Sequence, residues 1–139
     1  MGFGGDLIIL AAARELSNHY NKKVHLVKYK SRLDKLLFKT TSDWSEVFEN
    51  NIYISKVKEK DNIIINRSMA KISYVERRTK DGFIFKENIH AVELICEHFG
   101  VQAKNIEPEI FFSPQEYDWF NGYRKILPST YIVVEPHSK

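Results

Sequence analysis

The stretch GFGGDLIILAAARELSNHY, residues 2–20, decides how the rest of the chain folds, because it joins a glycine turn to a long apolar helix. Its apolar residues recur every four positions, and this spacing predicts a helix of about four turns with a wide apolar stripe. We expect such a helix to be largely buried. The stripe consists of Ile8, Ala12, Leu16 and Tyr20, with Leu7 and Ala11 beside them.

The start of this stretch predicts a polar site at the helix N-terminus. Gly4 and Gly5 permit positive φ angles and close approach to the backbone, and the first helical turn offers free N–H groups and a partial positive charge. Asp6 has two interpretations. It is an N-cap or first-turn carboxylate that stabilises the helix by about 0.5–2 kcal/mol, or a general base that takes a proton from a substrate hydroxyl. The two roles are compatible.

Strands alternate with helices along the remaining chain. Short apolar or β-branched runs predict strands at 24–29, 52–54, 61–66, 109–112 and 130–135. Helical spacing predicts helices at 43–48, 91–99 and 114–127, and residues 67–90 are expected to form a partly irregular surface segment. The pattern predicts an α/β fold with a mostly parallel sheet and helices on both faces, in which ligands bind at the carboxyl ends of the strands.

Local signals mark where three of these helices begin or end. Ser42 or Asp43 is expected to cap the helix at 43–48, and Gly100 is expected at the C′ position after the helix at 91–99. The sequence SPQE predicts a capping box at the start of the last helix. Its residues are Ser113 at the N-cap, Pro114 at N1 and Glu116 at N3.

Composition limits the function classes. The 139 residues suit one domain, and a net charge of +3 spread along the chain does not indicate a nucleic-acid surface. A weak attraction to phosphates or anionic lipid is compatible with it, so peripheral membrane association stays open. The single Cys96 excludes an internal disulfide and fits a reducing compartment, so we expect a cytoplasmic protein.

Five segments resemble, in order, those of the heptosyltransferase-like glycosyltransferase family 9, which has the GT-B fold. They are Gly4-Gly5-Asp6 before the apolar helix, KVHLVKY, the segment from His90 to HFGV, EPEIFFSPQE and the closing YIVVEPHSK. The family has two Rossmann-like domains facing a cleft. The first binds the acceptor, and the second binds the nucleotide-sugar donor.

The resemblance implies that residues 1–129 form the acceptor-side domain and that residues 130–139 begin the connection to a nucleotide-sugar-binding domain. Asp6 is then the base of an inverting, metal-independent transfer to a glycan or lipopolysaccharide-type acceptor, with Gly4 and Gly5 beside the substrate. Pro136, His137 and Ser138 fall in a loop near the donor phosphates. The nucleotide-sugar is a substrate and no cofactor is implied. We expect little or no transferase activity from this chain by itself.

Other candidate residues each have a structural alternative. His90 caps the helix at 91–99 or contacts the acceptor, and Arg77 and Arg78, with Lys80, bind acidic groups of an acceptor or form a solvated loop. Four aromatic residues stack on sugars or pack in the core: Trp44, Trp119, Tyr117 and Tyr123. His19, His25 and His98 lack metal-ligand spacing, and Cys96 is expected to be buried.

The dinucleotide-type topology also predicts a strand before the first helix, and residues 1–5 are too short and too glycine-rich to form it. We therefore expect the sheet to be ordered differently, a second copy of the chain to fill the gap, or the gene product to begin upstream. Two other function classes stay open beside the glycosyltransferase domain. One is a non-catalytic α/β binding or interaction domain, and the other is a small nucleotide-binding protein that uses the glycine turn for phosphate.

Overall fold

The computed structural model describes residues 3–37, 39–67, 69, 75–79, 82–85 and 89–128. Its helices are α1 (Phe3–Tyr20), α2 (Arg32–Leu36), a short 3-10 helix (Glu46–Phe48), α3 (Ala91–His98) and α4 (Pro114–Arg124). Its strands are β1 (Val24–Lys28), β2 (Thr41–Ser42), β3 (Ile54–Ser55), β4 (Ile63–Asn66), β5 (Val75–Thr79) and β6 (Gly82–Phe85). The class is α/β, as the alternation of patterns predicts.

Strand β1 is the centre of a four-stranded mixed sheet. It pairs in parallel with β4 along its first four residues, from Val24 opposite Ile63 to Val27 opposite Asn66. The other edge of β1 is shared by β3, which is parallel, and β2, which is antiparallel. The strands predicted at 24–29 and 61–66 are found at Val24–Lys28 and Ile63–Asn66, where they pair in parallel. The sheet is mixed, instead of mostly parallel as in a Rossmann-like fold, because β2 returns against β1.

The glycine turn does not form. Gly4 and Gly5 lie in the first turn of α1, which begins at Phe3, and among the described glycines Gly100 is the one with a positive φ, +73°. The expectation of a turn before the helix is therefore wrong, because the glycines are accommodated within the helix instead. Residues 3–5 are helical, so they do not form a central strand, and β4 lies directly beside β1.

Helix α1 is the centre of the core. The prediction that it is largely buried is confirmed, since residues 9–16 are all buried, whereas Tyr20 at the end of the stripe is 42% exposed. The helix packs against α3 and β1. Because residues around the whole circumference of its middle turns are covered, small alanine side chains let neighbouring elements approach closely. The core also includes Leu26, Phe48, Ile65, Ile95 and Cys96.

His25 joins the two short strands that share one edge of β1. Its ring is 2% exposed, with Nδ1 placed 2.9 Å from the carbonyl oxygen of Ser55 in β3 and Nε2 placed 2.9 Å from Oγ of Ser42 in β2. A carbonyl only accepts hydrogen bonds, so Nδ1 carries the proton in this contact. Both ring nitrogens have partners, and His25 is therefore a structural residue of the sheet.

The helix-end predictions are confirmed at α3 and α4. Helix α3 ends before Gly100, and the hydroxyl of Ser113 accepts a hydrogen bond from the Glu116 N–H while Oε2 of Glu116 accepts one from the Ser113 N–H. Pro114 occupies the first turn of α4. The helix ends at Arg124, short of the predicted 127, and all residues from 114 to 128 are exposed.

Other predictions differ from the structure. Residues 109–112 form no strand in the ladders described. Residues 75–79 and 82–85 form an antiparallel hairpin instead of an irregular segment, and the helix predicted at 43–48 is the 3-10 helix Glu46–Phe48. Its N-cap residue is Ser45, which makes no side-chain capping bond, so neither Ser42 nor Asp43 is the cap. The strand predicted at 130–135 lies outside the described residues.

The buried Cys96 thiol gives a direct test of this core. Burial, with a smaller contribution from Glu15, raises the pKa of Cys96 from 9.0 to about 11. We expect the native protein to react negligibly with a thiol reagent at pH 8, and one thiol to react once denaturant is added. Because the folded pKa lies above the unfolded one, the stabilisation from the neutral thiol is complete below about pH 9 and is lost as the pH rises towards 11. Rapid labelling of the native protein would contradict the packing.

Candidate functional site

Three backbone segments meet at the carboxyl end of β1. The N–H of Asp43 donates to the carbonyl of Leu26 at 2.9 Å, and the N–H of Arg67 donates to the carbonyl of Val27 at 3.0 Å. These bonds bring the residues that follow β2 and β4 to the same edge of the sheet. The first turn of α1 brings Asp6 to them. The carboxyl edge of parallel strands and the N-terminus of a helix form the usual ligand-binding position of α/β folds.

Arg67 connects two buried carboxylates. Its Nε donates to Oδ1 of Asp6 at 2.7 Å, its Nη2 also donates to that oxygen, and its Nη1 donates to Oδ2 of Asp43 at 3.2 Å. Lys28 completes the group by donating from Nζ to Oδ1 of Asp43 at 2.7 Å. The ion cluster of Asp6, Asp43, Arg67 and Lys28 thus contains two acids and two bases, so its formal charges cancel.

The surroundings of the cluster favour the protonated form of Arg67. Asp6 and Asp43 are 5% and 4% exposed, and the guanidinium carbon of Arg67 lies 5.4 Å from the ring centroid of Phe48. Burial by itself disfavours the charged guanidinium. The hydrogen bonds and Coulombic attraction to Asp6 and Asp43 outweigh burial and raise the pKa of Arg67 above its ordinary value. Arg67 is therefore a permanent cation beside Asp6.

The second oxygen of Asp6 faces a hydroxyl group. Oγ of Ser45 donates to Oδ2 of Asp6 at 3.3 Å, at the long limit for a hydrogen bond. Arg67 contacts only Oδ1 in the described cluster, so the two carboxylate oxygens have different partners. Asp6 is in the first helical turn as predicted, but its carboxylate bonds to side chains from other segments.

Ser45 also lines a groove of about 490 Å³. One wall is residues 45–50 and the other is residues 110–116, which lead into α4. Ser45 therefore contacts both the groove and Asp6, which is itself buried. The size of the groove lies within the range of about 300–1,000 Å³ found for small-molecule sites.

The other predicted site residues are distributed elsewhere. His90 is the N-cap of α3. Its ring Nδ1 accepts from the backbone N–H of Val92 at 3.2 Å, and its backbone N–H donates to Oε2 of Glu93 at 2.8 Å. The capping interpretation is the one this geometry supports. Arg77 and Arg78 lie in β5, where they pair with Ile84 and Phe83 of β6. Lys80, Pro136, His137 and Ser138 lie outside the described residues.

Sequence reasoning did not select Arg67, Ser45 or Lys28, and it assigned Asp43 only a capping role. The signal that was available is positional. A basic residue directly after an apolar strand, as Arg67 follows β4, stands at the edge of the sheet where ligands bind. Arg67 is 61 positions from Asp6 and 24 positions from Asp43, and no local sequence pattern predicts contacts over such separations.

Two features are absent from the described part of the chain. Within it, no three His, Cys, Asp or Glu side chains are grouped so that they could hold a metal ion. None of the helices described there is long and apolar enough to cross a bilayer. Comparisons with protein-family models, with curated proteins and with solved structures found no match to this chain.

The ion cluster generates a stability prediction. Asp6→Ala removes the carboxylate that takes two N–H bonds from Arg67, so a largely buried guanidinium loses one of its two anionic partners. We expect the free energy of unfolding, measured by urea denaturation, to fall by about 2–3 kcal/mol.

The matched control is Lys28→Met, because the Lys28 side chain is 54% exposed and its pair with Asp43 is screened by solvent. Its cost is expected to stay below about 1 kcal/mol. Equal losses for the two variants would contradict a central role of the Asp6–Arg67 pair.

Proposed function

We propose that this chain is the acceptor-side domain of a glycosyltransferase of the heptosyltransferase-like type, with Asp6 as the base that receives the proton of the acceptor hydroxyl. The observation that carries the proposal is the contact between Oδ2 of Asp6 and the hydroxyl of Ser45. A hydroxyl already donates to this oxygen at the carboxyl edge of the sheet, and a sugar hydroxyl would replace it there.

The ion cluster supports this role by fixing the carboxylate. Arg67 binds Oδ1 through two N–H groups, so the orientation of Asp6 is set before a substrate arrives. The N-terminal turn of α1 contributes free N–H groups and a partial positive charge beside the carboxylate. Oδ2 contacts Ser45, which is one of the residues that line the groove.

The proposed step transfers one sugar with inversion. The acceptor oxygen forms a bond to the anomeric carbon of the donor sugar, and the bond from that carbon to the nucleotide diphosphate breaks. The acceptor proton passes to Oδ2 of Asp6, and the electron pair leaves with the diphosphate. The donor belongs to a nucleotide-sugar-binding domain, so this chain alone supplies acceptor binding and the base.

A ligand titration tests the proposal with the chain as it is. We expect simple sugar glycosides to bind with millimolar affinity and to shift the amide NMR signals of residues 5, 6 and 45, whereas ADP and UDP leave the spectrum unchanged. Asp6→Asn removes a charge-assisted acceptor, so sugar affinity is expected to fall about tenfold or more.

The matched control for that titration is Asp43→Asn, which disturbs the same arginine from its other side but leaves Oδ2 of Asp6 in place. Its sugar affinity is expected to remain within about twofold of the parent, a difference below 0.5 kcal/mol. Tight nucleotide binding by this chain would instead support the small nucleotide-binding protein, and unchanged sugar affinity in Asp6→Asn would remove Asp6 from the site.

A second candidate function, a non-catalytic interaction domain, is favoured by helix α4. Its aromatic residues are about half exposed or more, with Trp119 at 66% and Phe120 at 49%. Trp119 and Tyr123 contact each other at a centroid distance of 4.7 Å on this outer surface. Exposed clusters of large aromatic side chains are typical of interaction sites.

This candidate predicts that α4 mediates association. Trp119→Ser is expected to leave the free energy of unfolding within about 0.5 kcal/mol of the parent, because the residue is exposed, while lowering any concentration-dependent self-association seen by analytical ultracentrifugation. The control is Leu36→Ser, a residue that is 74% exposed on α2. Equal behaviour of the two variants would remove α4 as an association surface.

A further inference from the structure

The groove beside Asp6 has one aromatic wall. Phe111 and Phe112 line it from the segment before α4, and Val47 faces it from the 3-10 helix. Phe112 is 50% exposed, so its ring offers apolar surface to a ligand. The C–H faces of sugar rings are apolar and pack against aromatic side chains of this kind.

Neighbouring rings hold these two phenylalanines in place. Phe111 meets Tyr53 at a centroid distance of 5.9 Å and an interplanar angle of 72°, and Phe112 meets Tyr117 at 5.6 Å and 80°. Both contacts are T-shaped, so they fix the orientation of the rings without a parallel neighbour stacked over them. A preorganised aromatic wall lowers the entropic cost of binding a rigid ring.

The charged residues that line the groove are all acidic. They are Glu46, Glu49 and Glu116. Glu49 accepts from Nε1 of Trp44 at 2.6 Å and lies 3.5 Å from Nζ of Lys56, and Glu116 accepts from the Ser113 N–H, so both carboxylates are held in position. Carboxylates accept strong hydrogen bonds from hydroxyl and ammonium groups and repel anions.

Ser45 connects this groove to the ion cluster. It lines the groove and its Oγ donates to Oδ2 of Asp6, so one residue of the groove lining contacts the ion cluster. Asp6 itself is buried behind Ser45 and is not among the residues that line the groove. The groove has an apolar wall and acidic hydrogen-bond acceptors.

We propose that this groove binds the ring of a sugar that carries no negative charge, with Phe112 against its C–H face and Glu46 accepting its hydroxyls. This inference rests on the proposed function and narrows its acceptor class. It differs from the expectation that basic residues of the hairpin hold an acidic acceptor, because the groove that opens beside Asp6 is lined by carboxylates. An anionic sugar would meet three of them.

The test uses three methyl glycosides with the same ring and different charge: glucose, glucosamine and glucuronic acid. Each is titrated into the full chain at pH 7 and followed by amide NMR signals. We expect glucose and glucosamine to bind and to shift the signals of residues 45–50 and 110–116, with glucuronic acid at least tenfold weaker. Equal binding of the anionic glycoside, or no binding of any of the three, overturns the inference.

Two matched variants locate the binding surface. Phe112→Ala is expected to weaken glucoside binding about tenfold or more, as loss of an aromatic contact does, whereas Phe120→Ala leaves it unchanged. The two residues are equally exposed, at 50% and 49%, and Phe120 lies on α4 away from the groove lining. Glu46→Gln is expected to reduce the discrimination against glucuronic acid about threefold or more. Equal effects of Phe112→Ala and Phe120→Ala contradict the inference.

The same titrations separate this inference from the proposed function. If glucoside binding depends on Phe112 but is unchanged in Asp6→Asn, the groove is a sugar site and the catalytic proposal fails. If binding depends on Asp6 and the shifts do not extend to residues 110–116, the catalytic proposal stands and the groove is rejected as the acceptor subsite.

Discussion

The fold depends on one guanidinium group placed between two buried carboxylates. Arg67 bonds to Asp6 in α1 and to Asp43 after β2, while its own backbone extends the parallel ladder beside β1. Removing two carboxylates from water costs several kcal/mol each, and only a partner with several correctly directed donors offsets that cost. Arginine has the planar geometry to bind both at once. The cluster therefore fixes where the N-terminus of α1 meets the sheet.

In this arrangement Asp6 combines a structural contact with the proposed catalytic one. Oδ1 accepts from Arg67, and Oδ2 accepts from Ser45, which also lines the groove. A loss of activity in an Asp6 variant is consequently ambiguous until stability is measured, because the same change removes an ion pair and a candidate base. A variant of Asp43 allows the structural contact and the proposed catalytic one to be separated. Asp43 binds the same arginine as Asp6 but contributes no atom to the contact with Ser45.

Much of the local structure could be predicted from the sequence, and the site largely could not. The capping box at Ser113, the end of α3 at Gly100 and the buried position of Cys96 depend on residues a few positions apart, so a single stretch encodes them. The Asp6–Arg67 pair spans 61 positions and depends on how β4 pairs with β1. Residues 109–112 have the composition of a strand but pair with no other strand in the described ladders. The β-propensity of a segment is a local property and does not determine whether another strand lies beside it.

The whole chain has a net positive charge, whereas the charged residues that line the groove are acidic. The net charge of +3 is spread over the whole sequence, and at physiological salt a charge is screened beyond about 8 Å. Glu46 and Glu116 therefore dominate the charge of the groove lining, because Glu49 is paired with Lys56 at 3.5 Å. Overall basicity attracts anionic molecules weakly and without direction, whereas the carboxylates of the groove lining repel anions at short range. The proposed acceptor would therefore be recognised by its hydroxyls and its apolar ring face, and both are properties of an uncharged sugar.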